Sequence, residues 1–259
     1  MRFIERLYPE AAIDGFSRFH QRMIFFNFVN ALIRPDHHVL EFGAGRGVHA
    51  ESEGPWLRAL TTLQGKVARV IGVDIDEAVL ENPEIDEAHV FKPGEALPLP
   101  DNSVDLVVSW AVFEHVADPE LYAAELARVL KPGGWICAWT PNKWGYVGIG
   151  ARLFPNSTHA RMVRLLLPTT ARGDADVFPV VYKMNTMGTL KQLFPESRFL
   201  HRTFRWTGPA GYHGNSMILA RFWMFYNWLM PPFMKQSLHI FIQKRPGDGE
   251  AKRAGRSHD

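Results

Sequence analysis

Glu41, Gly43, Gly45, Gly47 and Asp74 are the residues whose types and spacing most clearly suit chemistry. In Val39-Leu-Glu-Phe-Gly-Ala-Gly-Arg-Gly47 an apolar run carries an acid and then breaks into three glycines at alternate positions. Glycine has no Cβ, so Gly43 and Gly45, with Ala44 between them, would let the backbone come close to a ligand before a helix opens. Glu41 would face a positively charged part of that ligand. Asp74 lies near the end of a second apolar run, Val70-Ile-Gly-Val-Asp-Ile75. An acid at the carboxyl end of the second strand of an open sheet can hold a ribose diol by two hydrogen bonds, with Ile75 beside it. The dinucleotide fingerprint G-x-G-x-x-G would need a glycine at 48, where the chain has Val48, which disfavours a nicotinamide dehydrogenase. Glu114 and His115 follow a third apolar run, Ser103 to Trp110. A histidine there titrates in the range a general base needs, although it could equally serve by packing.

Placing these residues together requires parallel strands joined by helices. Strands are predicted at 39–42, 67–73, 89–91, 104–109 and 135–140, with an antiparallel pair at 199–206 and 238–244. Helices are predicted at 14–33, stopped by Pro35, at 55–63, at 76–80, and from Pro119, where Asp118 caps the first turn. Pro132-Gly-Gly134 should end that last helix before the fifth strand. The helix at 14–33 either packs on the sheet or doubles as a lid over substrate. His49, Glu51 and Glu53 fall in a polar loop after the glycines, where they are solvated or reach the pocket.

The order Glu-x-Gly-x-Gly-x-Gly, Gly-Val-Asp, Glu-Ala-Leu-Pro-Leu-Pro-Asp-x-Ser-Val-Asp-Leu-Val-Val-Ser, Glu-His-Val-x-Asp-Pro, Arg-Val-Leu-Lys-Pro-Gly-Gly resembles class I S-adenosylmethionine-dependent methyltransferases. It is similar to the broad group that includes ubiquinone and menaquinone methyltransferases and sugar and natural-product O-methyltransferases, over about residues 36 to 140. The resemblance implies an α/β fold: a Rossmann-like, seven-stranded, mostly parallel sheet with helices on both faces and an α-helical acceptor-binding insertion. It also implies S-adenosyl-L-methionine as cofactor, leaving as S-adenosyl-L-homocysteine. Glu41, Gly43, Ala44, Gly45, Gly47, Asp74 and Ile75 would contact it. The family usually has an acid for the adenine amino group where this chain has Pro93, so adenine would be held by the backbone of Gly94, Ala96 and Leu97 or by Glu95. Trp110 covers the adenosine or belongs to the core. Some relatives bind a divalent ion through Glu-x-x-Glu-His. Here Ala111 replaces the first glutamate and only Glu114 and His115 match, so the expectation is catalysis without a metal.

The resemblance divides the chain into an N-terminal helical segment (1–35) and a methyltransferase domain (36–259) with an acceptor cap at about 141–198. Between 143 and 183 lie six basic residues (Lys143, Arg152, Arg161, Arg164, Arg172 and Lys183) against Asp174 and Asp176, mixed with aromatics. That composition suits a sugar or other polar acceptor, or simply a solvated cap. His159 in this segment is the second candidate base. The 207–237 insertion contains Ser216 to Met230, apolar on nearly every face and too short to span a bilayer. It is predicted to be a buried helix that forms a pocket or a homodimer contact, or else an interfacial helix at a membrane surface. The tail at 246–259 is polar and expected to be disordered.

At 259 residues, 46% hydrophobic, the chain can bury one substantial core, and a formal charge of +2 argues against a nucleic-acid partner. The single cysteine, Cys137, excludes an internal disulfide. With no signal peptide evident at Met1 to Pro9, the expectation is a cytoplasmic protein, with peripheral membrane association as the alternative. Function narrows to O-methylation of a sugar, glycan or glycolipid. The alternatives are methylation of an aromatic or quinone-like molecule, or cofactor binding without catalysis.

Overall fold

The computed structural model describes residues 3–47, 54–153, 179–210 and 213–246. Its strands are β1 (His38–Phe42), β2 (Arg69–Asp74), β3 (Glu87–Val90), β4 (Val104–Trp110), β5 (Leu130–Pro141), β6 (Phe199–His201), β7 (Phe204–Trp206) and β8 (Ser237–Lys244). Its α-helices are α1 (Phe3–Leu7), α2 (Gln21–Leu32), α3 (Pro55–Thr61), α4 (Pro119–Val129), α5 (Tyr146–Leu153), α6 (Met187–Leu193) and α7 (Met217–Leu229).

The sheet runs β3-β2-β1-β4-β5-β8-β6, with β7 also paired to β8. β1 to β5 are mutually parallel, while β8 is antiparallel to β5, β6 and β7. The antiparallel pair expected at 199–206 and 238–244 is present, but its outer strand is interrupted. β6 and β7 keep one register against β8, Phe199 opposite Lys244 and Phe204 opposite His239. The sheet therefore has seven positions and eight strand segments.

Central strands alternate between two cores, as a sheet covered on both faces requires. Leu40, Phe42, Val104 and Val107 join the helix α4 side with Leu126 and Val129, whereas Val39, Leu106, Val108 and Cys137 meet Phe25, Phe26 and Val29 of α2. Each such large apolar side chain, fully buried, contributes roughly 1.5–3 kcal/mol.

Local chemistry sets the element ends. Asp118 accepts from the Leu121 N–H at 3.0 Å and Pro119 opens α4, as its sequence predicts. The N-terminal helix is shorter than predicted: it starts at Gln21, capped by His20, whose Nδ1 accepts from the Met23 N–H. Gly15, with φ of 90°, breaks the stretch before it. Phe16 consequently leaves the helix and stacks on Trp56 at 5.0 Å. The expected stop at Pro132-Gly-Gly134 is a correction of another kind. The helix ends at Val129 and β5 begins at once, with the turn residues absorbed as a register jump between Val104/Leu130 and Leu106/Trp135. The stretch at 76–80 forms a 3-10 turn, Glu77–Glu81, behind an Asp76 cap.

The largest correction concerns the apolar helix. α7 is not buried: only Ala220 is enclosed, while Ile218, Phe222, Phe225, Trp228 and Leu229 are exposed. The helix is inserted between β7 and β8 in the chain, and among the described residues just one of its sides is enclosed.

Candidate active site

The glycine segment leaves β1 at Phe42 and turns under the end of β2, where the N–H groups of Gly43 and Ala44 both donate to the Val73 carbonyl. Gly43 has φ of 78° and a Cβ there would run into the Val112 side chain. Gly45 has φ of 52°, but no described residue lies within 4 Å of where its Cβ would be. The first glycine is thus demanded by packing, while among the described residues the second leaves bare backbone. Asn82 pins the turn from the far side, its Nδ2 donating to the Ala44 and Gly45 carbonyls at 3.1 Å.

Asp74 at the end of β2 is oriented from two directions. Its Oδ2 accepts from the Gly45 N–H at 2.8 Å and its Oδ1 from the Asp76 N–H at 3.0 Å. A carboxylate offers about four lone-pair sites, so both oxygens keep capacity for hydroxyl donors. Ile75 follows with 43% of its surface exposed, an apolar plate beside that carboxylate.

A cleft opens against Glu41, Gly43 and Ala44, walled by Arg22 and Phe26 of α2, Thr61, Glu84, Val108 and Trp110. Burial, reinforced by the charge of Glu84 and opposed by Arg22, pushes the Glu41 carboxyl up to about 7. An acid so placed gains most from a cationic ligand group. The Arg22 guanidinium lies 5.1 Å from the ring centre of Trp110, which stacks on Trp139 at 4.5 Å and 14°. Carboxylate and guanidinium on one cleft match the ammonium and carboxylate ends of an amino acid. Arg22 and Glu84 escaped sequence reasoning. Arg22 is the single cation in α2, a faint signal, and nothing local marks Glu84.

The Lys92–Pro98 turn is tied to α4. The Gly94 N–H donates to the Tyr122 hydroxyl at 3.0 Å and the Leu97 N–H to Glu125 Oε2 at 2.7 Å. Leu97 is buried, whereas Glu95 and Ala96 are exposed. The Glu95 N–H donates to the Lys92 carbonyl as well, so the N–H groups of Gly94, Glu95 and Leu97 are all engaged internally. Arg128 braces the turn, donating to Glu125, Asp101 and the Leu97 and Leu99 carbonyls. Its guanidinium also holds the Glu125 carboxyl below its usual range.

Glu114 and His115 stand apart from the cleft-lining residues. Glu114 is buried, accepts from the Thr140 hydroxyl at 2.8 Å, and its carbonyl receives the Val181 and Tyr182 N–H groups. Asn185 donates in turn to Thr140. His115 Nδ1 lies 2.9 Å from the Pro179 carbonyl. A carbonyl only accepts, so Nδ1 carries the hydrogen and Nε2 holds the basic lone pair. Nε2 is 4.0 Å from Glu114 Oε1. Among the described residues no group of three or more His, Cys, Asp or Glu is placed to hold a metal ion. His159, His49, Glu51 and Glu53 lie outside the described residues.

A glycine turn beneath an acid-tipped second strand, in a sheet of this order, is the arrangement of a Rossmann-like α/β domain. Residues 40–138 match the family model for a methyltransferase domain. Over that stretch the chain is similar to S-adenosylmethionine-dependent methyltransferases, and solved structures of that fold superpose on most of it. A "Probable S-adenosylmethionine-dependent methyltransferase" of Mycolicibacterium smegmatis is 38% identical over 110 residues, 40% of this chain and 38% of that protein. A "Ubiquinone biosynthesis O-methyltransferase" of Bartonella tribocorum is 32% identical over 131 residues, 47% of this chain and 51% of that protein. The chain thus spans about half or less of the curated relatives it matches. The YcgJ protein of Bacillus subtilis shares the fold at 17% identity and a TM-score of 0.50, over 87% of this chain and 100% of that one. A geranyl diphosphate methyltransferase solved with its cofactor does so at 12% identity and a TM-score of 0.51, over 87% and 84%.

Proposed function

We propose that the protein is an S-adenosylmethionine-dependent methyltransferase acting on a hydroxyl of a sugar, glycan or glycolipid. The observation that carries the cofactor half is the combination of bare backbone at Gly45 with Asp74 oriented beside it and the Glu41–Arg22 pair across the cleft. Asp74 would hold the ribose, Ile75 and the turn at Gly94 to Leu97 would flank the adenine, and Glu41 with Arg22 would take the amino-acid tail. When bound, the cofactor supplies a methyl group on a sulfonium: the C–S bond breaks as a C–O bond forms, and sulfur leaves as a neutral thioether. The chain's own task is to hold the acceptor oxygen in line, exclude water and take up one proton.

His115 is assigned that proton. The Pro179 carbonyl keeps the hydrogen on Nδ1, which leaves Nε2, 4.0 Å from Glu114 Oε1, as the ring atom to take the proton up. Glu114 and Thr140 act here by holding the base. A second reading, a phenolic or quinone-like hydroxyl, is favoured by the stacked Trp110–Trp139 pair at the cleft and by the ubiquinone-pathway name of a relative.

The test is transfer of labelled methyl into a host extract, with and without chelator, followed by separation into water-soluble, lipid and protein fractions. Label in saccharide or glycolipid supports the first reading. Label in a quinone precursor moves the assignment to the second. Loss of signal with chelator would overturn the metal-free assignment of His115. Binding of S-adenosyl-L-homocysteine without transfer into any fraction would make this a binding module.

A further inference from the structure

Helix α7 carries the most unusual surface of the described residues. Its inner side meets protein: Ala220 is fully enclosed and Trp223 stacks on Tyr146 at 4.8 Å. Its outer side is exposed among the described residues. Ile218, Phe222, Phe225 and Leu229 recur at intervals of four, three and four, one stripe of a helix with 3.6 residues per turn. Ile218 is 85% exposed and Phe225 59%, with Trp228 at 77% on the stripe's margin. Phe233 extends the patch past Pro231 and Pro232.

Charge along this stretch of the chain has one sign. No Asp or Glu occurs between Glu196 and Asp248. Arg221 is exposed on the helix itself, and Arg205 and Lys235 lie at the same end of the sheet, where Leu238 and Ser237 of β8 pair with β7. At 13 residues the helix is about 20 Å long, too short to cross a hydrocarbon core of about 30 Å. Among the described residues no helix is long and apolar enough to do so.

We infer that the outer face of α7, with Phe233, seats this protein on an anionic lipid surface, the apolar stripe entering the headgroup boundary while Arg205, Arg221 and Lys235 meet lipid phosphates. Aromatic and aliphatic side chains on one face with cations at the margins are what such a surface rewards. A second copy fits less well: an isologous contact would bring Arg221, Arg205 and Lys235 against their own duplicates with no acid from this region to pair them. The seat lies at the carboxyl end of the parallel strands, because β5 ends at Pro141 opposite Ser237, where α7's insertion rejoins the sheet. The acceptor edge of the domain therefore faces the lipid. Docking does not depend on which acceptor is methylated.

The test is flotation of the full chain with vesicles of phosphatidylcholine alone and with about one third phosphatidylglycerol. The expected result is partition onto the anionic vesicles, about tenfold or more weaker on neutral vesicles and again at high salt. Phe225→Glu with Trp228→Glu should reduce partition by more than about tenfold while S-adenosyl-L-homocysteine binds as in the wild type. If that variant fails to fold, Arg221→Glu decides: loss of the anionic preference supports the seat, and an unchanged preference overturns it. Wild-type protein that stays unbound to anionic vesicles at low salt refutes the inference. So does a dimer, seen by sedimentation, that the double substitution dissolves.

Discussion

Glu41→Gln separates the two roles of this half-buried acid, because its effects on stability and on ligand binding have opposite signs. The substitution keeps shape and removes charge. In the native protein burial holds the carboxyl protonated up to about 7, from an ordinary value of 4.5. Between those values the folded state binds more protons than the unfolded chain, so wild-type stability falls as pH rises through this window and the deficit is complete above about 7. The displacement is worth about 3 kcal/mol. Glutamine escapes it, so Glu41→Gln should lie within about 1 kcal/mol of wild type at pH 5 and exceed it by about 2–3 kcal/mol at pH 8. Urea unfolding at both pH values, with equal m-values, reads this directly. At pH 8 the same variant should bind S-adenosylmethionine about 10–100-fold more weakly, since a charge-assisted contact to a cationic ligand is lost. Parallel stability curves for the two proteins across pH 5–8 would refute the burial argument, and unchanged affinity at pH 8 would remove Glu41 from the ligand site.

Gly43→Ala and Gly45→Ala should fail in different ways. The first forces a Cβ onto Val112 at a left-handed φ and should lower stability by about 1–3 kcal/mol in thermal melts, while the second should cost about 1 kcal/mol yet block cofactor binding in calorimetry. Asp74→Asn keeps one acceptor and loses the charge that both the Gly45 and Asp76 N–H groups address, so affinity for S-adenosyl-L-homocysteine should drop at least about tenfold; wild-type affinity would exclude this acid as the ribose ligand. Arg128→Ala strands the buried Glu125 carboxylate and frees two carbonyls of the 97–99 turn, for an expected loss of about 3–5 kcal/mol, checked by denaturant midpoint.

The sequence by itself determined the sheet and the glycine turn that meets Asp74. Period-two apolar runs, a glycine turn and an acid at a strand's end are local signals, each readable within a few residues. Gly43, Gly45 and Asp74 accordingly stand where their spacing put them, with Asp118 and Pro119 opening α4. Tertiary structure alone decided what depends on neighbours distant in the chain. The Lys-Pro-Gly-Gly turn became part of β5 because β4 lies alongside it, a pairing no local signal carries. Arg22 reaches the cleft only because α2 packs across the ends of β1 and β4, and the hydrogen on His115 Nδ1 is set by Pro179, 64 positions later. The apolar composition of 216–230 reads as burial, since a sequence shows which side chains avoid water but not how much protein stands beside them. Among the described residues α7 encloses only Ala220, and the same residues that suggest a core form an exposed face.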